Sequence, residues 1–115
     1  MISIIGAGPA GSNLAYLLAK NNQEVTVYEE HKEIGKPVQC SGVITPALES
    51  ELKIKKDIIV NRINKVRFFA PDGKFFETKI KPDYVFDRLK LDKYIADLAE
   101  EAGAKFVTKR FLDMN

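Results

Sequence analysis

A short β-branched apolar run, Ile2 to Ile5, leads directly into Gly6-Ala7-Gly8-Pro9-Ala10-Gly11, and this junction constrains the fold more than any other feature of the chain. The run reads as a buried parallel strand. Beyond Gly11, apolar residues recur at Leu14, Leu17 and Leu18 with alanines at 15 and 19, a helical spacing that ends at Asn21-Asn22. Glu24 to Glu29 then alternates and is rich in β-branched residues, so it reads as the second strand of a βαβ unit. In that context each glycine has a purpose. Gly6 permits the tight turn out of the strand, Gly8 lets backbone approach a pyrophosphate, and Gly11 lets the helix pack closely on the sheet. Pro9 suits the first helical turn. Unpaired N–H groups and the positive end of the helix dipole then face the phosphates, so no basic side chain is needed in the loop. No lysine follows Gly11, which argues against a Walker A site.

Glu29 closes the second strand eighteen residues after Gly11 (29 − 11). There a carboxylate can accept hydrogen bonds from adenosine ribose hydroxyls and would repel a 2′-phosphate. Glu30 is the competing acid, and strand register favours Glu29. A plainer reading makes Gly6 to Gly11 only a tight βα turn and Glu29 a solvated strand end. Strand, glycines, helix and acid fall in register, which favours dinucleotide binding. His31, after two acids, reads as part of a solvated turn.

From Glu30 to Ile59 the pattern weakens, punctuated by Gly35, Pro37, Gly42 and Pro46, with one short helix from Pro46 to Leu52. A loop this long is usually functional or lid-like. Val66 to Ala70 and Phe75 to Ile80 flank Pro71-Asp72-Gly73-Lys74, a strong hairpin signal. Phe68, Phe69, Phe75 and Phe76 form alternating pairs there, expected as sheet core rather than as a ligand groove. Asp87 is placed to cap a helix with apolar face Leu91, Tyr94, Ile95, Leu98 and Ala102, closed by Gly103, and Lys105 to Leu112 reads as a further strand. The expected organisation is one unit over 1–115: βαβ 1–30, loop 31–60, β-hairpin 63–81 and helix–strand 87–112.

With 115 residues, 45% apolar and 30% charged, the chain reads as globular and sized for one core. Eighteen basic against 16 acidic residues, interspersed, leave no block that would mark a nucleic-acid partner. One cysteine, Cys40, and one histidine, His31, exclude an internal disulfide and a Cys/His zinc cluster, so no metal site is expected. With no export signal and no apolar run of about 20 residues, the expectation is a cytoplasmic chain in a reducing compartment, with any membrane contact peripheral.

Gly6-Ala-Gly-Pro-Ala-Gly11 together with Ile34-Gly35-Lys36-Pro37-Val38-Gln39-Cys40-Ser41-Gly42 resembles the start of the geranylgeranyl reductase family of flavoproteins, within the p-hydroxybenzoate hydroxylase-like group. The Asp87-Arg88 helix ending in Glu100-Glu101-Ala102-Gly103-Ala104 is similar to theirs, and Pro-Val-Gln-Cys is the family-specific string. The resemblance implies an α/β fold: a Rossmann-like FAD-binding βαβ with a β-hairpin insertion, in an incomplete FAD/NAD(P)-binding domain. It implies FAD as cofactor and saturation of prenyl double bonds, including those of archaeal-type lipids. By position, Gly6, Gly8, Pro9, Ala10 and Gly11 would meet the FAD phosphates and Glu29 the ribose. Cys40, Ser41 and Gly42 would lie along the flavin side, and Arg88 near the phosphate or ribityl portion, unless it serves only in an ion pair. Many relatives carry Cys-x-Glu-Gly where this chain has Cys40-Ser41-Gly42-Val43. No proton donor is named, and Cys40 is a catalytic candidate by proximity alone.

Family members are several times longer and close the cofactor domain with a later Gly-Asp segment absent here, so the chain reads as an N-terminal portion, not active alone. The prenyl lipid or other small-molecule substrate would bind through the missing part, and the electron donor is open. Exposed sheet edges left by truncation invite self-association. Two other classes share the first βαβ unit: an aromatic hydroxylase or halogenase using FAD, and a non-catalytic nucleotide-binding module.

Overall fold

A computed structural model describes residues 1–112 of the chain. In chain order its elements are β1 (Ile2–Ile5), α1 (Pro9–Lys20), β2 (Val25–Glu29), β3 (Val43–Ile44), α2 (Ala47–Leu52), a single 3-10 turn (Lys56–Ile58), β4 (Ile59–Phe69), β5 (Phe75–Phe86), α3 (Arg88–Glu101) and β6 (Lys105–Thr108). Contacts sort them into two compact units: Met1–Gln39 with the segment from Arg88 onward, and Cys40–Asp87.

The first unit is the anticipated βαβ, extended by a further helix and strand. Its sheet is parallel, ordered β1-β2-β6, with Ile4 opposite Val27 and Val27 opposite Phe106. Val25, Thr26 and Val27 are all buried, as a central parallel strand requires, whereas Ser3 and Ile5 on β1 are exposed. The two helices pack against each other and present small residues inward: Ser12, Ala15 and Ala19 from α1, Ala96 and Ala99 from α3. Leu14 and Leu17 are about half exposed, which leaves the inward face of α1 to its small residues. On α3 the buried set is Leu91, Asp92, Ile95, Ala96 and Ala99, turned from the expected Leu91, Tyr94, Ile95, Leu98 and Ala102. α3 follows Asp87, and Gly103 takes a left-handed φ of 109° while the Ala104 N–H returns to the Ala99 carbonyl, a glycine-dependent helix stop. β6 ends at Thr108, shorter than the expected strand to Leu112.

The second unit is an antiparallel sheet, ordered β3-β5-β4. Its hairpin is longer than expected at both ends, and the anticipated loop 31–60 holds β3, α2 and the 3-10 turn. Phe68 pairs with Phe76 and Phe69 with Phe75 across the ribbon. The expectation that they form sheet core is overturned, since all four are half to two-thirds exposed. They lie beyond the three-stranded part, where each ring is covered within the ribbon only by its cross-strand partner and, for Phe75, by the Arg67 guanidinium 4.6 Å from the ring centroid. Among the described residues, no helix is long and apolar enough to cross a membrane.

Candidate functional site

The turn between β1 and α1 is built by close approach. A Cβ on Gly11 would stand 2.0 Å from the Gly6 carbonyl oxygen, so no larger residue fits while α1 keeps its place. Gly6 holds a left-handed φ of 95°, and its N–H donates to the Tyr28 carbonyl on β2 at 2.8 Å. Gly8 is different. A Cβ there meets nothing within 4 Å, so no neighbour within the chain demands glycine at this position. Pro9 opens α1, and the Ser12 N–H to Gly8 carbonyl bond starts its ladder. The preceding N–H groups have no partner four residues back within the helix, which leaves a cradle suited to an anionic group.

Ala7, between the first two glycines, is held at both ends. Its N–H donates to Glu29 Oε2 at 2.7 Å, and its carbonyl accepts from the fully buried Ser12 hydroxyl at 3.0 Å. The acid at the end of β2 and the glycine turn are therefore one hydrogen-bonded assembly. Sequence reasoning missed Ser12, whose only signal is a polar residue within the small-residue stripe of α1.

Glu29 carries more than the turn. Its Oε1 accepts the His31 N–H at 2.9 Å and lies 2.6 Å from His31 Nδ1. A carboxylate only accepts, so the shared proton is on the ring nitrogen. Burial pushes the Glu29 carboxyl up, but the hydrogen bonds from Ala7 and His31 outweigh it and leave its pKa below the ordinary value. His31, read from sequence as a solvated turn, is exposed yet bound to the central acid of the site.

A cleft of about 410 Å³ opens beside Gly6 and Glu29 at the carboxyl ends of the parallel strands, where open α/β sheets bind their ligands. Its far wall is Lys109, Arg110 and Phe111, which the sequence reading left in a strand and out of the site. They arrive because β6 pairs alongside β2, and the Lys109 N–H donates to the Glu29 carbonyl at 2.8 Å. Arg110 pairs with Glu30 at 3.4 Å. The signal was available: a third parallel strand next to β2 must end beside Glu29.

Of the remaining predicted residues, Ala10 is exposed on the first turn of α1. Arg88 lies in the same unit, and its guanidinium is bidentate to Asp92 at 3.1 and 3.3 Å, one turn further along α3. The pair is largely buried on both sides. Gly35 packs under the same pair, where an added Cβ would lie 3.2 Å from Asp92 Cβ. Cys40, Ser41 and Gly42 belong to the second unit. Cys40 is exposed, and its Sγ accepts from the Gly42 N–H at 3.4 Å. Gly42 is buried with a φ of 76°, and its carbonyl accepts from Phe86.

The NAD(P)-binding Rossmann-like domain family matches residues 4–40, the stretch holding the glycine turn and Glu29. The digeranylgeranylglycerophospholipid reductase of Methanocaldococcus jannaschii is 37% identical over 112 residues, which cover 94% of this chain. Over most of its length the chain is similar to reductases of this name. Among solved structures, a geranylgeranyl bacteriochlorophyll reductase-like protein from Thermoplasma acidophilum superposes with a TM-score of 0.77 at 31% identity, over 91% of this chain. The flavin-dependent brominase Bmp2 superposes with a TM-score of 0.71 over 93% of the chain at 20% identity, a likeness of fold alone. The chain spans 28% of the length of each of these proteins.

Proposed function

We propose that this chain holds the ADP portion of FAD, and that it belongs to a flavin-dependent oxidoreductase that reduces prenyl double bonds of lipids. The observation that carries the first part is the Glu29 carboxylate bonded to the Ala7 N–H, beside the N-terminus of α1 and facing the cleft. The residues fit such a ligand. A pyrophosphate takes the first-turn N–H groups above Gly8, where no side chain intrudes. The ribose diol takes the acceptor capacity left on Glu29 Oε2 and competes with the His31 ring for Oε1. The cleft wall at Arg110 and Phe111 receives the base. Arg88 and the Cys40-Ser41-Gly42 segment are assigned to the cofactor by family resemblance alone.

When bound, FAD supplies the hydride chemistry, and this chain's residues bind and orient it. The prenyl substrate class is supported by the named reductase relatives, and it concerns the longer protein.

The test is an FAD titration of the purified chain with Gly8→Val and Glu29→Gln. Gly8→Val fills the open space above the turn, and Glu29→Gln keeps the shape while removing the charge. Saturable binding that both variants weaken at least about tenfold is expected, since a hydrogen bond to a charged group contributes roughly 1.5–3 kcal/mol. Binding indifferent to both variants, or NADH matching FAD in affinity, would overturn the reading.

A further inference from the structure

Three donors of the chain already converge on the Glu29 carboxylate. Its Oε2 accepts the Ala7 N–H at 2.7 Å, and its Oε1 accepts the His31 N–H at 2.9 Å and a proton from His31 Nδ1 at 2.6 Å. A carboxylate offers about four lone-pair positions, so about one is left, whereas a ribose diol brings two O–H donors. One of the chain's own donors must give way. The two N–H groups belong to the backbone, one in the glycine turn and one in the chain leaving β2, and neither can withdraw without moving a strand. The ring hangs on a single side chain and can turn aside. All three residues lie in the first compact unit, so the arrangement needs nothing from the second.

The cost of displacing the ring depends on its charge. Nδ1 carries a proton whether the imidazole is neutral or cationic, because a carboxylate can only accept. With a neutral ring the contact is a hydrogen bond to an ion, and with a cationic ring it is also an ion pair. Burial pushes the Glu29 carboxyl up, but the Ala7 and His31 bonds hold it below the ordinary value, so the acceptor stays ionised where imidazoles change charge, between about pH 5 and 8. Among the described residues, the titratable and charged groups facing the ring are Glu30, Lys32, Glu33 and Lys36 of the loop after β2, Lys109 and Arg110 of the segment after β6, and Tyr28 of β2. Arg110 pairs with Glu30 and Lys36 with Glu33. Histidine is the side chain that ordinarily changes charge in this range, and His31 is the only one in the sequence.

We infer that His31 is a displaceable latch on the ribose-binding acid: its ring occupies Glu29 Oε1 until a nucleotide diol takes its place, and protonation of the ring tightens the latch, so that cofactor affinity rises with pH. The inference rests on the reading of Glu29 as the ribose acid. A ring turned away from Glu29 gives up its proton to solvent more readily, so binding in this range releases protons.

The experiment is an FAD titration of the untagged 115-residue chain at about pH 6 and about pH 8, with proton release read by calorimetry in two buffers of different ionisation enthalpy. Affinity about fivefold weaker at the lower pH is expected, the weight of an exposed ion pair, together with release of a fraction of a proton. His31→Ala and His31→Gln should each bind FAD equally at both pH values and release none, with His31→Ala at or above the unaltered chain's affinity. The imidazole ¹⁵N signals of the free chain should place the neutral ring's proton on Nδ1, and a proton found on Nε2 overturns the latch without recourse to any ligand. FAD binding of one affinity at both pH values, or a pH dependence that His31→Ala keeps, overturns the latch and leaves the FAD reading standing. Tighter binding at the lower pH makes the ring a partner of the pyrophosphate and overturns it likewise. Absence of FAD binding at both pH values is a separate result, which removes the reading of Glu29 and the latch with it.

Discussion

The reversal at Gly6–Gly11 and the reversal at Pro71–Lys74 are both tight, but they are held in different ways. At the first, polar groups converge: Ala7 is tied through its N–H to Glu29 and through its carbonyl to Ser12, and Gly11 lets α1 approach to contact distance. At the second, the Gly73 N–H reaches Ala70, the Ala70 N–H reaches Lys74, and Asp72 caps the Lys74 N–H, while the flanking rings stack in solvent. The first turn is rigid because its neighbours leave it no room. The second is rigid only along its own ribbon, and its side chains remain available.

The comparison breaks most sharply at Gly11. Gly11→Ala sets a Cβ 2.0 Å from a backbone oxygen that cannot move without dragging β1. A loss of about 3 kcal/mol or more is expected in urea unfolding, at the top of the range for overpacking. Leu14→Ala, on the exposed side of the same helix, should stay within about 0.5 kcal/mol. Equal losses at the two sites would mean that α1 packs through its leucines. Ser12→Ala comes next, at about 1–3 kcal/mol, because it strands the Ala7 carbonyl in a buried place. The hairpin tip should answer weakly. Phe76→Ala removes one cross-strand ring and should cost about 0.5–1 kcal/mol. A loss there as large as at Gly11 would make the tip a core.

The strand–turn–helix–strand and the acid at its end were legible because each depends on local chemistry: β-branched runs, glycines at fixed offsets, and a proline at the helix start. Burial was less legible. Periodicity shows which stripe of α1 is apolar, but Leu14 and Leu17 share that stripe with Ala15 and Ala19, and the spacing imposed by Gly11 decides for the alanines. The phenylalanine pairs alternate as core strands do, and only the topology reveals that no third strand reaches the tip. The Lys109–Phe111 wall meets Glu29 only once the place of β6 beside β2 is known, and His31 meets it through a turn two residues long.

Glu33 sharpens the comparison at its weakest point, where an exposed charge pins the loop after β2 to α3. The Lys36 ammonium, and then that of Lys93, hold its carboxyl down at about 2 against an ordinary 4.5. A depressed carboxylate pKa contributes stability that is complete above the unfolded value, and the contribution is lost as pH falls from about 4.5 through about 2. Both partners are exposed, so the effect is small and salt weakens it. Amide exchange of residues 33–36 followed down this pH window should therefore show protection fading in the unaltered chain and already low, with a flat profile, in Glu33→Gln. At high salt the two profiles should converge. Parallel profiles at low salt would instead make Gly35, seated against Leu89 and Asp92, the contact that holds this loop to the helix.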